Sequence, residues 1–592
     1  MRILRTVTTL WMLGAVAAVS IWPIPESVEE GDGVVWMQRD VILELNLPKN
    51  SGSNEPDYVN PSVSGSKIEA AWKRNKVFLF KQNIVPWKFH PKGTDFEPKF
   101  SPSGAIKKVV VTQRKTDRSR VPVEELNEEY TLSMPDASGK FFDSNDNKQE
   151  PGTIYIDAET SNGALHGLTT LSQLFYRAEK PEAFENIYSP STPVLIKDKP
   201  KFKHRGLNLD VARQWYPLKD IKRLIDTLSW NKFNRLHFHA TDSQSWPLEI
   251  PSLPDLANKG KYGPHMSYTP EDLQNLLTYA SKRGIEIIVE IDMPGHTASI
   301  ADAYPDLITG RNMQPDWDTY AAQPPSGSLK LNNPSVETFV TQLFSDLLPR
   351  LHHHSRYFHH GGDEVNRNVY LLDPGVNSNS TDTIRPHLQR FMTHLQSQLT
   401  THSAIPITWE EILLDWNLTL ARNTIIQTWQ SDSAVSAATS KGHRVIAGNY
   451  NYWYLDCGHG QWLDFRPGES YDKYYPFADY CSPRKSWKLM YAYDPLQGLE
   501  TEEQKRLVLG GEAHVWSEQI DGASLDAVVW PRAGAAGEVL WSGRKDAEGR
   551  NRTLEAASER LGVWRERLLE RGVGAAPVMQ LWCYMNKGGC QL

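Results

Sequence analysis

The chain of 592 residues has only four cysteines, no CxxC pair and no block of basic residues. It also lacks a glycine-rich loop with a P-loop lysine, and beyond its N-terminal segment no apolar run is long enough to cross a bilayer. Each absence removes a class. Without paired CxxC knuckles a structural zinc ribbon is excluded. Acids outnumber bases by 71 to 64, for a net charge of -7, so nucleic acid and anionic membrane surfaces are poor partners. Without a phosphate-cradling loop nothing calls for a nucleotide, and no cofactor is expected.

What is present begins with Arg2 and Arg5, an apolar run from Leu10 to Val19, and small residues at Ala18 and Ser20. That order is a secretory signal over residues 1–20. Asn379, Asn417 and Asn551 each begin an Asn-x-Ser/Thr acceptor, usable in a chain that passes a glycosylating compartment. Four cysteines allow three pairings. The local ones, Cys457 with Cys481 and Cys583 with Cys590, close short loops and are the expected bridges. Secretion follows as the expected localisation.

The length requires more than one domain. In residues 21–197, strand-like runs at 105–112, 130–132 and 153–157 precede a helix opening at Ser161, which reads as a small α+β domain. Pro190, Pro193 and Pro200 mark an expected linker. From 198 to 592 strands alternate with amphipathic helices, the strands at 206–212, 235–239, 285–291, 357–360, 405–409, 424–429, 444–447 and 507–510. Thr269-Pro270 and Asn333-Pro334 cap two of the helices. Eight such repeats predict an α/β fold, a (β/α)₈ TIM barrel with a C-terminal tail; an open doubly wound sheet is the alternative.

Function in a barrel gathers at the carboxyl ends of its strands. Those ends deliver Asp210 and Arg213; His239, Asp242 and Gln244; Asp292 and His296; Asp363 and Glu364; Trp409, Glu410 and Glu411; Trp429; Tyr454 and Asp456; and His514, Trp516 and Glu518. Acids and an arginine clamp hydroxyls while indole faces pack on pyranose rings, so the set describes a carbohydrate pocket. The consecutive His352, His353 and His354 precede a strand and read as a loop, so no metal site is expected. Trp453 reads as barrel-edge packing. Asp363 and Glu364 follow Gly361-Gly362 and are sequence neighbours. A retaining glycosidase with two flanking carboxylates needs them about 5 Å apart across one bond, which adjacent side chains diverging from a strand end serve badly.

The motifs HHGGDEV, GLNLDVAR, HFHATDSQSWP, IDMPGH, TWEE, WYLD and HVWSE together resemble glycoside hydrolase family twenty, the β-N-acetylhexosaminidases. With the tail WCYMNKGGC, the likeness is to the secreted fungal type. The resemblance implies exo-hydrolysis of terminal β-linked N-acetylglucosamine or N-acetylgalactosamine from chitin oligomers and glycans, by substrate-assisted retaining catalysis. It implies Glu364 as general acid and then base, Asp363 as the group orienting the 2-acetamido substituent, and Tyr454 as a donor to its oxygen. It further implies Arg213, Asp456 and Glu518 on ring hydroxyls, Trp409, Trp429 and Trp516 as pocket walls, and Asp242 with His296 as a relay toward Glu364. Such enzymes are often dimers, so a homodimer is an assembly to test. The alternative reading is a secreted amino-sugar-binding protein without turnover.

Overall fold

The computed structural model describes residues 20–49, 59–81, 84–143, 149–180 and 186–592. The expected signal segment therefore lies outside the described residues, apart from Ser20.

Six strands form the small sheet: β1 (Ser27–Asn46), β2 (Ile106–Gln113), β3 (Tyr130–Met134), β4 (Thr153–Ala158), β5 (Tyr176–Arg177) and β6 (Ile187–Asp198), in the order β1-β2-β4-β3-β6-β5. The long β1 serves two partners, pairing parallel with β2 through Ile42–Asn46 and antiparallel with β6 through Ser27–Met37. Helices Pro61–Lys81 and Ser161–Leu171 accompany it, the second capped by the Thr160 hydroxyl, which accepts from Gly163 N–H. The first helix was not anticipated, although Ile68, Ala71, Trp72, Asn75 and Leu79 make a buried stripe at helical spacing.

The expected linker at Pro190 and Pro193 is corrected. Both prolines lie within β6, which pairs with β1, β3 and β5. The β1–β6 register slips between Glu30 and Gly33 and again between Gly33 and Val35, opposite the stretch that holds the two prolines. A bulge tolerates a residue with no N–H, which is how proline enters a strand. Only Pro200 stands between the sheet and the next strand.

The barrel strands are β7 (His204–Asp210), β8 (Arg235–His239), β9 (Glu286–Glu290), β12 (Tyr357–His359), β13 (Ile405–Trp409), β14 (Ile425–Thr428), β15 (Arg444–Ala447) and β16 (Val508–Val515). They close in the order β12-β13-β14-β15-β16-β7-β8-β9, all parallel. A two-stranded ribbon, β10 (Ile308–Thr309) and β11 (Ser328–Leu329), interrupts the loop after β9. The last barrel strand runs five residues past its expected end, so His514 lies in the strand rather than after it. Helices Pro270–Ser281 and Pro334–Leu351 start where their caps predict, the first with a capping box between Thr269 and Asp272.

Buried ion pairs join sheet to barrel. Lys232 Nζ lies 2.7 Å from Asp198 Oδ2 and 2.9 Å from Tyr130 Oη, while Trp541 Nε1 donates to Asp198 Oδ1 at 2.9 Å. Arg205 Nη2 donates to Glu128 at 2.8 Å, and His166 Nε2 meets the same oxygen at 3.0 Å. Removing one member of a fully buried pair strands the other charge, at a cost of about 3–5 kcal/mol. Asp198→Ala is therefore expected to lower the thermal midpoint by several degrees, with loss of sheet–barrel cooperativity in calorimetry; an unchanged endotherm would contradict this.

Candidate active site

The fourth barrel strand ends after three residues because the chain must turn sharply there. Gly361 and Gly362 have φ of +71° and +105°. A Cβ on Gly361 would fall 1.7 Å from Asp292 Oδ1, and one on Gly362 would fall 2.5 Å from Ile412 Cγ1. Gly362 N–H donates to Asp292 Oδ1 at 2.8 Å, fixing the turn against the third strand's end. Beyond it, Glu364 adopts φ +48° and His296 adopts φ +52°. Left-handed backbone at a non-glycine residue costs about 1–3 kcal/mol, and here two such residues face each other. His296 Nε2 lies 3.3 Å from Glu364 Oε2.

From that contact a chain of alternating charge runs down the barrel axis. His296 Nδ1 meets Asp242 Oδ1 at 3.1 Å, and Arg213 Nη2 reaches Asp242 Oδ2 at 2.9 Å. His239 bridges Asp242, at 2.8 Å through Nε2, and Glu290, at 2.5 Å through Nδ1. His237 bridges Glu290 at 2.9 Å and Glu512 at 3.0 Å, and His204 meets Glu512 at 2.6 Å. An imidazole facing carboxylates through both nitrogens must donate from both, which makes it a cation. Burial is the largest influence and opposes that charge, but the two flanking carboxylates together outweigh it, Glu290 with Glu512 raising His237 to about 9 and Glu290 with Asp242 raising His239 to about 10. His296 is likewise raised despite burial, by Asp242, Asp292 and Asp363. Glu290 also accepts the indole N–H of Trp409 at 2.8 Å, so one buried carboxylate holds both the chain and a pocket wall.

The adjacent acids differ in setting. Asp363 is buried beside Asp292; desolvation first, then the Asp292 charge, pushes it well above the carboxylate range, and burial lifts Asp292 to about 7. Asp363 Oδ1 is buried without a hydrogen-bond partner among the described residues. Glu364 is less enclosed, its side chain 31% exposed against 12% for Asp363. It lines two cavities, one of 640 Å³ with Ala321, Arg367 and Asn379, the other of 510 Å³ with Trp416, Trp429 and Tyr480.

The remaining expected residues surround this pair. Trp429 Nε1 donates to Glu411 at 3.0 Å and its backbone N–H to Glu410 at 2.9 Å. The Trp429 ring stacks with that of Tyr454 at 6.4 Å, and Tyr454 in turn tilts against His514 at 4.8 Å and Trp516 at 6.4 Å. The Arg213 guanidinium lies over Trp516 at 5.3 Å. Asp456 accepts from Trp516 N–H at 3.4 Å, and Glu518 accepts from Gln323 at 3.2 Å. The disulfide Cys457–Cys481 starts one residue after Asp456, and Cys583–Cys590 closes the tail. Trp453 is fully buried and donates to Met490 O at 3.0 Å. The three consecutive histidines follow the helix ending at Leu351, away from this pocket.

Groups spaced closely enough for a cation are His237, Glu290 and His359; Asp456, Cys457 and Cys481; and Asp292, His296 and Asp363. In the second set both sulfurs are tied up in the disulfide and offer no thiolate.

Sequence reasoning missed Glu290, His237 and Glu512 because they lie inside strands, below the rim. The signal was there: His237 with His239, and Glu290 with Asp292, stand two apart and so share the inner face. Gln323 comes from the long loop after β9 and had no such signal.

A barrel rim carrying an acid pair, an arginine, further acids and four aromatic walls defines a carbohydrate-processing site. Comparison with known proteins makes the class specific. Residues 202–544 match the family model "Glycosyl hydrolase family 20, catalytic domain", and residues 21–174 match "beta-acetyl hexosaminidase like". The chain belongs to glycosyl hydrolase family 20. It is 38% identical over 623 residues to a beta-hexosaminidase of Arthroderma benhamiae, covering 98% of each chain, and 31% identical to beta-hexosaminidase 1 of Coccidioides posadasii, covering 91% and 93%. A Flavobacterium johnsoniae chitobiase superposes with TM-score 0.70 at 25% identity, covering 94% of this chain and 73% of that one. A Vibrio harveyi exo β-N-acetylglucosaminidase, solved with N-acetylglucosamine, shares the fold at TM-score 0.71 and 22% identity, covering 96% and 80%.

The raised histidines link stability to pH. A cation whose folded value lies above its unfolded 6.5 stabilises fully below about pH 6.5, progressively less as pH rises, and not at all above about 10. His239→Gln should therefore flatten the fall of thermal midpoint between those limits. Parallel curves for variant and wild type would refute the charged assignment.

Proposed function

We propose that the protein is a secreted, exo-acting β-N-acetylhexosaminidase, with Glu364 as proton donor and acceptor and Asp363 as the partner of the substrate's 2-acetamido group. The observation that carries this reading is Asp363 Oδ1, a buried oxygen with no hydrogen-bond partner among the described residues. A buried acceptor without a donor costs about 1–3 kcal/mol, and an amide N–H from the ligand would satisfy it.

The sugar's acetamido oxygen attacks the anomeric carbon as the glycosidic C–O bond breaks, and Glu364 gives its proton to the departing oxygen. Positive charge spreads over the resulting oxazolinium ring, where ionised Asp363 accepts the N–H and Tyr454 donates to the oxygen. Water then attacks the anomeric carbon, Glu364 takes its proton, and the ring reopens with configuration retained. Arg213, Asp456 and Glu518 grip the hydroxyls at the nonreducing end, which closes the pocket and makes the action exo. The cation at His296, held by Asp242, steadies the Glu364 carboxylate after each proton is given.

Secretion draws support from the N-terminal signal pattern and from the exposure of Asn379, Asn417 and Asn551. No helix among the described residues is long and apolar enough to cross a membrane.

Two kinetic outcomes test the reading on an aryl N-acetyl-β-glucosaminide. Glu364→Gln should lower kcat by about 10²–10⁴-fold, the range of general acid catalysis; a protein that binds the sugar without turnover in wild type would instead be the non-catalytic alternative. Asp292→Asn keeps an acceptor for Gly362 N–H but removes the charge that raises Asp363. Because Asp363 acts ionised, the acid limb of kcat/KM should move to lower pH in this variant. A limb that stays put, or moves up, would contradict the coupling.

A further inference from the structure

The three Asn-x-Ser/Thr acceptors are all exposed, yet they are not equivalent in the fold. The side chain of Asn379 lines the same 640 Å³ cavity that Glu364 lines. Its tripeptide, Asn379-Ser380-Thr381, opens the helix Thr381–Thr401, with Ser380 at the cap position. Asn379 Nδ2 donates to Asn368 Oδ1 at 3.0 Å, which lays the amide on the loop that continues from Glu364. Asn368 and Asn366 both donate to Thr319 O at 3.2 Å, tying that loop to the segment bearing Ala321 and Ala322. Those two alanines complete the cavity wall with small side chains. An exposed acceptor amide, an open cavity and a general acid thus share one surface.

We propose that Asn379 carries an N-linked glycan that forms part of the leaving-group side of the active site and restricts which aglycones reach Glu364. The proposal rests on the reading of Glu364 as proton donor given above. The modification joins Asn379 Nδ2 to the anomeric carbon of a lipid-pyrophosphate-linked oligosaccharide. The N–C bond forms, the C–O bond to pyrophosphate breaks with its electron pair leaving on the phosphate, and Nδ2 gives up one proton. It takes place on the unfolded chain, before Asn368 engages the amide. Once the protein folds, the first sugars project from the cavity wall, a hydrophilic bulk beside the leaving group. A compact aryl aglycone passes it, whereas a long chitooligosaccharide must share the space.

The test uses the full chain secreted from a glycosylating host. Peptide mass spectrometry reads occupancy at Asn379. The ratio of kcat/KM on a long chitooligosaccharide to kcat/KM on the aryl N-acetylglucosaminide is then compared before and after native trimming to the first sugar. The proposal expects an occupied Asn379 and a several-fold rise in that ratio on trimming. Asn379→Gln should reproduce the rise and make trimming without further effect. Asn551→Gln, at a short bridge to Lys545 beyond the barrel, should leave it unchanged. If the Gln variant fails to fold, trimming of the wild type carries the test alone. An unmodified Asn379, or a ratio indifferent to removal of its glycan, overturns the proposal. Absence of turnover on both substrates in wild type overturns the reading of Glu364, and this proposal with it, whatever Asn379 carries.

Discussion

The candidate active site hangs on a carboxylate sealed from solvent. Glu290, sealed in the barrel, receives His237, His239 and the indole of Trp409. Each bond would be modest in water, but in a dry interior an unpaired ion is so costly that the partners have almost no freedom to part. Through His239 the constraint reaches Asp242, then His296, then Glu364; through Trp409 it reaches the pocket wall. Barrel interiors are ordinarily filled by branched apolar side chains. This one gives up that filling on the upper inner face and gains an orientation for Glu364, the proposed proton donor, that no loop interaction would hold as firmly.

The same logic explains where strain appears. Glu364 and His296 both occupy left-handed backbone and sit within 3.3 Å of each other at the end of the charge chain. Strained residues persist where surrounding structure over-determines them. Here the determinants are Asp242 beneath His296 and the Gly361-Gly362 turn beneath Glu364. The turn is itself fixed by Asp292, whose charge adds to burial in raising Asp363. Two adjacent acids thereby acquire different environments, one buried beside Asp292 and the other open to cavities, which is the difference the proposed roles at amide and leaving group call for.

Much of this was legible in the sequence, for physical reasons that differ by element. The barrel was readable because strands buried on both faces and capped helices repeat with strong periodicity, and the rim residues because the fold places strand ends at the site. Boundaries blurred where polar residues interrupt an apolar run: β16 continues past Gly510 through Glu512 and His514, which read locally as the end of a strand. The small domain was harder. Prolines at 190 and 193 read as punctuation, yet bulges in β1–β6 pairing absorb their missing N–H groups. Glu290 and Glu512 escaped because an acid inside an apolar strand has no local signature; its partners come from other strands, and only closure of the barrel brings them together.

The central claim is that the substrate's own amide displaces the leaving group while Asp363 only supports it. The most direct measurement is kcat/KM for aryl glycosides whose 2-acetamido methyl carries none, one, two or three fluorines. Fluorine withdraws electrons from the attacking oxygen without changing the protein. The account predicts a steep, progressive fall along the series, with retained anomeric configuration in the product. A rate independent of fluorination would contradict it and require a nucleophile from the protein.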